Sequence, residues 1–319
     1  MGNQQAKVLA LDFGGTKLAA AVVDISSGEL CSLVRENTPV EGKAEASIQM
    51  MFAMGKKALA QCGLEKPARV GISFGGPVAL GRKTVLMSNH VTGWENMPLP
   101  QMAADYFLAP AAMDNDANAA ALGAWWFDAH AEPDGMVYIQ ISTGIGSGLI
   151  LNRQLYRGGC LAGELGHITM VENGPLCVCG KHGCLESFSA GWAIARDGQE
   201  AFKRSAKDSP LYTLCAGNPQ LIDARLVVQA YRLGDEAAKA VITKAFTILG
   251  IAIAIVISLV DPQMIILGGG VARSEEEMRS IVEAVVKKEL HPLLRNRCKL
   301  SFSRLEGKET LLGAALLEE

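Results

Sequence analysis

Cys177, Cys179 and Cys184 share one short glycine-containing loop, and His167 stands ten positions upstream of the first of them. Three thiolates and an imidazole can close a tetrahedral zinc site. The spacing is not the usual two-residue one, and His182, inside the loop, competes as the fourth ligand. The alternative, a Cys-x-Cys disulfide, would be strained and would leave one thiol over. Glu164 and Glu186 flank the loop. A carboxylate accepts hydrogen bonds from neighbouring hydroxyls, so a pair of them suits a polyol ligand, although either alone also reads as a solvated surface charge.

Glycine-rich turns form the second group. Asp12-Phe13-Gly14-Gly15-Thr16-Lys17 joins two apolar strands, and Ser142-Thr143-Gly144-Ile145-Gly146-Ser147-Gly148 repeats that arrangement. Glycine lets backbone N–H groups approach an anion, and threonine hydroxyls add donors. Neither turn is a Walker A or Rossmann loop, because each leads to a strand and not to a helix. One such turn is also an ordinary hairpin. Two of them, with Gly268-Gly269-Gly270 after a third apolar strand, suit a nucleotide held between two domains.

The third group is Asp114-Asn115-Asp116-Ala117-Asn118-Ala119. Asp and Asn before an alanine-rich run form a helix N-cap. An acidic cap at a domain junction is also placed to accept a proton from a substrate hydroxyl, the group that phosphoryl transfer requires besides cradled phosphates and Mg²⁺.

The elements that must position these residues alternate between strands and helices. Strands are expected at 7–12, 18–24, 69–74, 136–141, 149–152 and 264–267, and helices at 44–62, 115–127, 189–205, 223–233, 236–260 and 274–289. This is an α/β pattern with layered packing. The twofold strand–turn–strand unit suggests two related halves. A domain junction is expected near Ala117–Gly123. The apolar run from Ile248 to Val260, shorter than a membrane span, is expected to be a buried core helix.

Composition narrows the function. With 30 basic and 33 acidic residues and a net charge of -3, nothing suggests a nucleic-acid surface, so the ligand is expected to be small. The polar start before Lys7 carries no secretory signal, and five scattered cysteines suit free thiols in the cytoplasm.

Together these motifs resemble the ROK family of sugar kinases (repressors, open reading frames and kinases) along nearly the whole chain. The matching blocks are Leu11–Lys17, Gly75–Val78, Asn115–Ala119, Ser142–Gly148, Gly163–His167, Cys177–Glu186 and Leu267–Val271. The resemblance implies an actin-like ATPase (ribonuclease H-like) fold, two α/β domains around a cleft holding sugar and ATP. It implies Asp116 as the base that deprotonates a sugar hydroxyl. Gly76, Asn89, Asn115, Glu164, His167 and Glu186 match sugar positions, with Glu186 expected to serve the sugar and not ATP. Gly14, Gly15, Thr16, Lys17, Thr143, Gly144, Gly268 and Gly269 match nucleotide contacts, and Asp12 the place that supports Mg²⁺. His167, Cys177, Cys179 and Cys184 match the ligands of a structural Zn²⁺, which sets His182 aside.

The expected division is a small domain over 1–118, a helix at about 306–319 packing back on it, and a large domain over 119–305. The large domain would carry the zinc loop and a dimerisation surface for a homodimer or homotetramer. Gly75 stands where the family commonly has proline, Ala79 where it has an acid and Ala124 where it has glutamate. The Ser88-Asn89-His90 step also departs from the usual Pro-Asn-Leu. These departures touch neither the base nor the zinc ligands, but they blur the choice among glucose, N-acetylmannosamine, N-acetylglucosamine, fructose and allose. A sugar-sensing repressor is the second functional class. It would need a DNA-binding segment ahead of the strand that starts at Lys7, and no room is expected for one.

Overall fold

In the computed structural model, which describes residues 7–39, 43–88 and 91–318, the apolar run Lys7–Phe13 forms strand β1. Leu9, Leu11 and Phe13 enter one core, and Val8 and Ala10 enter another on the opposite face. A strand buried on both faces reads as continuous apolar residues instead of alternating ones. β2 (Lys17–Asp24) pairs antiparallel with β1 and divides its side chains between the same two cores. β3 (Glu29–Asn37) adds to β2 at the edge. After α1 (Lys43–Gln61), β4 (Val70–Phe74) joins β1 in parallel; after α2 (Leu99–Phe107), β5 (Ala111–Asn115) joins β4 in parallel. The sheet order is β3-β2-β1-β4-β5.

The helix expected over 115–127 is divided. α3 (Asp116–Gly123) gives way to a π-helical turn, Ala124–Asp128, a local insertion of the kind that widens a helix by one residue. β6 (Met136–Ile141) and β7 (Ile145–Leu151) follow, then β8 (Gln154–Tyr156). β7 starts at Ile145 and not near 149, because the turn closes at once: Ser142 N–H donates to the Gly144 carbonyl at 2.9 Å. The remaining elements are α4 (Glu186–Ser189), α5 (Gly191–Phe202), α6 (Pro210–Leu214), α7 (Ala224–Arg232), α8 (Glu236–Val260), β9 (Met264–Gly268), α9 (Glu275–Glu289), β10 (Lys299–Phe302) and α10 (Glu309–Leu316). The second sheet runs β10-β9-β6-β7-β8, the order of the first sheet read from its other end.

Contacts divide the chain into two units. One is Met1–Asp134 with Gly148–Gly163 and Arg304–Glu319; the other is Gly135–Ser147 with Glu164–Ser303. The junction expected near 118 lies inside the first unit, because α3 packs along α10, which in turn lies on β1 and β4. In the second unit α8 is long and apolar enough to cross a membrane by length and composition. Leu249, Ala252, Ile253 and Ile257 are nevertheless buried, and α5, α7 and α9 pack against the helix. Only one side of this expected core helix is core, for Ile255 and Leu259 are exposed.

Small residues let α3 and α10 meet backbone to backbone. A Cβ on Gly313 would fall inside the carbonyl of Ala119, and one on Gly123 inside that of Glu309. Gly313→Ala is expected to cost about 1–3 kcal/mol, the usual range for overpacking a close contact. Denaturant unfolding should show a lower midpoint with an unchanged slope. An unchanged midpoint would mean that the two helices separate without penalty.

Candidate functional site

In the first unit the β1–β2 turn is braced from β3. Gly14 N–H donates to the Lys17 carbonyl at 3.0 Å, and Thr38 Oγ1 donates to the Gly14 carbonyl at 2.8 Å. Gly15 is half-buried, and Thr16 and Lys17 are exposed beside it. Asp12 precedes the turn, and its Oδ1 accepts a hydrogen bond from Ser73 Oγ at 2.7 Å. Burial pushes its carboxyl up to about 6, against the opposing hydrogen bonds of Ser73 and Thr310 and the charge of Arg35. A cation nearby would favour the ionised form.

The β5–α3 corner is held by side chains. Asn115 Oδ1 caps α3, accepting from Ala117 N–H at 2.9 Å and Asn118 N–H at 3.3 Å. Its Nδ2 donates to the Gly76 carbonyl at 3.1 Å. Asp116 is therefore not the cap. It occupies the first turn of α3, half-buried, with Oδ1 accepting from Ala117 N–H at 2.9 Å. Capping therefore falls to Asn115 and not to the residue expected as the base. Behind them lies Asp114, its side chain 3% exposed. Its Oδ1 accepts from Asn115 N–H at 2.9 Å and Asn118 Nδ2 at 2.8 Å, and its Oδ2 from Arg157 Nε at 2.6 Å. Arg157 was not among the expected site residues, and no local pattern marks it. Asn89, expected at the sugar, lies outside the described residues.

In the second unit one glycine turn is tied to the start of α5 and the other to β6. Gly191 N–H donates to the Ser142 carbonyl at 2.8 Å, and Val271 N–H donates to the Ile141 carbonyl at 2.9 Å. Thr143 of one turn and Gly270 of the other line a pocket of about 310 Å³. Gly268 and Gly269 lead into it at the end of β9. Trp192, Asp223 and Arg225 also line it. The Trp192 indole N–H is buried without a partner among the described residues, a donor whose desolvation a ligand acceptor would offset. These three residues sit on α5 and at the start of α7, remote in sequence from the glycine turns, so the motifs could not reveal them.

Glu186 is not a surface charge: it is 6% exposed, and its Oε2 accepts from Ile145 N–H at 2.9 Å. Glu164 lies in front of the helical turn Leu165–His167, with its Oε2 4.0 Å from His167 Nε2. The opposite ring nitrogen, Nδ1, is 3.6 Å from Cys177 Sγ. One imidazole thus faces a carboxylate and a thiol at once, which is how His167 can belong to two expected sets.

The cysteine loop brings its ligands together. Cys179 Sγ lies 3.7 Å from Cys184 Sγ, and the ligand atoms of His167, Cys177, Cys179 and Cys184 are all within 4.8 Å of one another. Sulfur ligands of a tetrahedral zinc with bonds of about 2.3 Å stand about 3.8 Å apart, so the group could hold such an ion. Burial pushes the Cys177 thiol up to about 12. A bound cation would supply the charge that its thiolate form requires. His182 turns away, its Nδ1 at 2.9 Å from the Gly174 carbonyl.

Residues 8–319 match the ROK family. The chain belongs to that family. It is 31% identical over 310 residues to a glucokinase from Thermotoga maritima, covering 97% of this chain and 96% of the relative. It is 32% identical over 316 residues to an N-acetylmannosamine kinase from Salmonella typhi, covering 98% of each. Among solved structures it resembles a ROK family glucokinase from Streptomyces griseus in complex with glucose and AMPPNP, with a TM-score of 0.83 and 31% identity. That likeness covers 97% of this chain and 98% of the other. The ROK chain described here has the actin-like ATPase fold.

The Asp114–Arg157 pair carries a stability prediction for this ROK protein. Removing one partner of a buried ion pair strands the other, which costs several kcal/mol; with Arg157 partly exposed, Arg157→Met is expected to cost about 2–4 kcal/mol. Adding Asp114→Asn should recover part of that loss. Equilibrium urea unfolding of the two variants checks this, and a loss smaller than about 0.5 kcal/mol would make the pair an ordinary surface contact.

Proposed function

We propose that this chain transfers the γ-phosphate of ATP to the primary hydroxyl of glucose, with Asp116 as the general base. Its membership of the ROK family and its kinase relatives make it an ATP-dependent sugar kinase. The choice of glucose rests on the likeness to glucokinases. N-acetylmannosamine is the second reading, favoured by a relative 32% identical over 98% of both chains.

The observation that carries the assignment of Asp116 is the β5–α3 corner. Asn115 takes the capping role, so Asp116 is left on the first helical turn, where the partial positive charge of the helix end favours a carboxylate. In this reading Asp116 accepts the proton of the sugar hydroxyl as its oxygen attacks the γ-phosphate. Gly76, Asn89, Asn115, Glu164, His167 and Glu186 hold the sugar. The backbone of Gly14, Gly15, Thr143, Gly144, Gly268 and Gly269, with Thr16 and Lys17, cradles the phosphates. Asp12, half-buried next to Ser73, is the residue that would hold Mg²⁺, whose charge would offset that of the phosphates. The His167, Cys177, Cys179, Cys184 group is read as a structural zinc site. The exposed Ile255 and Leu259 on α8 support a homodimer or homotetramer, and the five free cysteines outside that group suit the cytoplasm.

ADP release measured over a panel of hexoses and N-acetylhexosamines tests the reading, and glucose is expected to give the highest kcat/KM. Asp116→Asn should fold and bind sugar yet lose about 10²–10⁴-fold in kcat, the range for a general base. Retention of more than about a tenth of wild-type turnover would reduce Asp116 to a structural residue.

Metal analysis of purified protein should find one zinc per chain. His167→Ala should lose it and His182→Ala should keep it. Protein without zinc, or the reverse pattern in the two variants, would overturn the site. Removing zinc should also weaken sugar binding, because His167 faces Glu164 from within the ligand set.

A further inference from the structure

Glu186 was expected to serve the sugar and not ATP, yet its carboxylate is built into the turn on the nucleotide side. Its Oε2 accepts from Ile145 N–H at 2.9 Å, and Ile145 directly follows Thr143 and Gly144. The contact is tight enough to exclude a side chain, since a Cβ on Gly144 would stand 2.6 Å from that same oxygen. The turn is held from a second point on the same segment, because Gly191 N–H donates to the Ser142 carbonyl at 2.8 Å. The segment 184–191 therefore clamps the turn twice, once through a side chain and once through the backbone. At its start lies Cys184, a ligand of the metal group, and Leu185 N–H donates to the Ile168 carbonyl at 2.9 Å next to His167. The second oxygen of Glu186, Oε1, has no hydrogen-bond partner among the described residues and is not sealed from solvent.

We propose that Glu186 couples the two substrates: one oxygen fixes the phosphate-facing turn Ser142–Gly144 while the other receives a sugar hydroxyl, so that either substrate tightens the binding of the other. The proposal rests on the reading above, in which Thr143 and Gly144 face the phosphates and Glu186 the sugar. A buried carboxylate with one satisfied oxygen retains rotational freedom about its remaining bonds. A hydroxyl on the second oxygen removes that freedom and polarises the group. Both effects set the position of Ile145 N–H and hence of the turn ahead of it. Ordering of the turn by the nucleotide presents Oε1 to the sugar by the same linkage, since coupling free energies are reciprocal. Glu186 acts on the phosphate group through the turn, and there it is a positioning residue.

Calorimetric titration of the full chain with Mg²⁺ and AMPPNP, with and without saturating glucose, tests the coupling. The reverse titration of glucose, with and without the nucleotide, completes the cycle. In the wild type each ligand is expected to tighten the other by at least about fivefold, and equally in both directions. Gly144→Ala pushes the carboxylate aside, so it should weaken glucose binding as well as AMPPNP binding and bring the factor within about twofold of unity. Glu186→Ala should do the same from the sugar side. Glu186→Gln keeps an oxygen for Ile145 N–H and should retain an intermediate factor.

A wild type that binds both ligands with no coupling overturns the proposal and leaves the kinase assignment standing. So does a Gly144→Ala protein whose glucose affinity and coupling are unchanged. If Gly144→Ala does not fold, equal coupling in Glu186→Ala and wild type overturns the proposal instead. A wild type that phosphorylates another sugar of the panel is titrated with that sugar. One that phosphorylates none overturns the kinase reading, and the proposal with it.

Discussion

A carboxylate in the interior is the constraint on which the first unit's site depends. Asp114 ends β5 almost wholly buried, and an ionised group there must find partners or be neutralised. It gathers the Asn115 N–H, the Asn118 amide and the Arg157 guanidinium, which come from three parts of one corner. With those bonds made, the chain has one way to leave β5 and enter α3. Asn115 becomes the cap, and Asp116 is delivered at the first helical turn. The alanines that follow then let α10 approach α3 closely, and Thr310 of α10 reaches back to Asp12. One buried charge thus sets the direction of the element that presents the proposed base.

The two units solve the same problem with the same strand order. β1, β2, β3, β4 and β5 of one sheet correspond in connectivity to β6, β7, β8, β9 and β10 of the other. The glycine-containing turns fall at corresponding places: Gly14–Gly15 after β1 and Thr143–Gly144 after β6, Gly75–Gly76 after β4 and Gly269–Gly270 after β9. Equivalent strand ends have then acquired different partners. Gly76 offers its carbonyl to Asn115 in the first unit, whereas Gly270 lines the pocket of Trp192 in the second. Fold repetition supplies the turns, and the residues packed around them decide the use.

The cysteine–histidine group and the carboxylates Glu164 and Glu186 are one assembly. His167 shows one ring nitrogen to Cys177 and the other to Glu164, while Cys184 and Glu186 are two positions apart on a segment that also clamps the turn after β6. Ordering the loop therefore also orders two carboxylates. Leu176 and Val178 at its tip stay exposed. A second shell that fixes the orientation of a ligand imidazole commonly matters as much as the ligands themselves.

Much of this protein was legible in local pattern. Apolar runs located β1, β2, β4, β6 and β9, and the helix 236–260 was read to the residue. Alanine after Asp-Asn marked α3, and cysteine spacing with His167 marked the ligand group that the fold assembles. These signals are short-range: periodicity, capping and turn chemistry act over a few residues. β3 and β5 escaped, because an edge strand rich in polar residues and a strand ending in Asp-Asn lack a strand's apolar signature. The domain boundary moved beyond α3 because α10, far along the chain, covers that helix. Glu186 became part of a turn 41 residues away, and Asp114 met an arginine 43 residues away. Such pairings are fixed when strands cross and helices dock. Residue type and spacing can nominate a carboxylate, but only the packed chain decides what its oxygens touch.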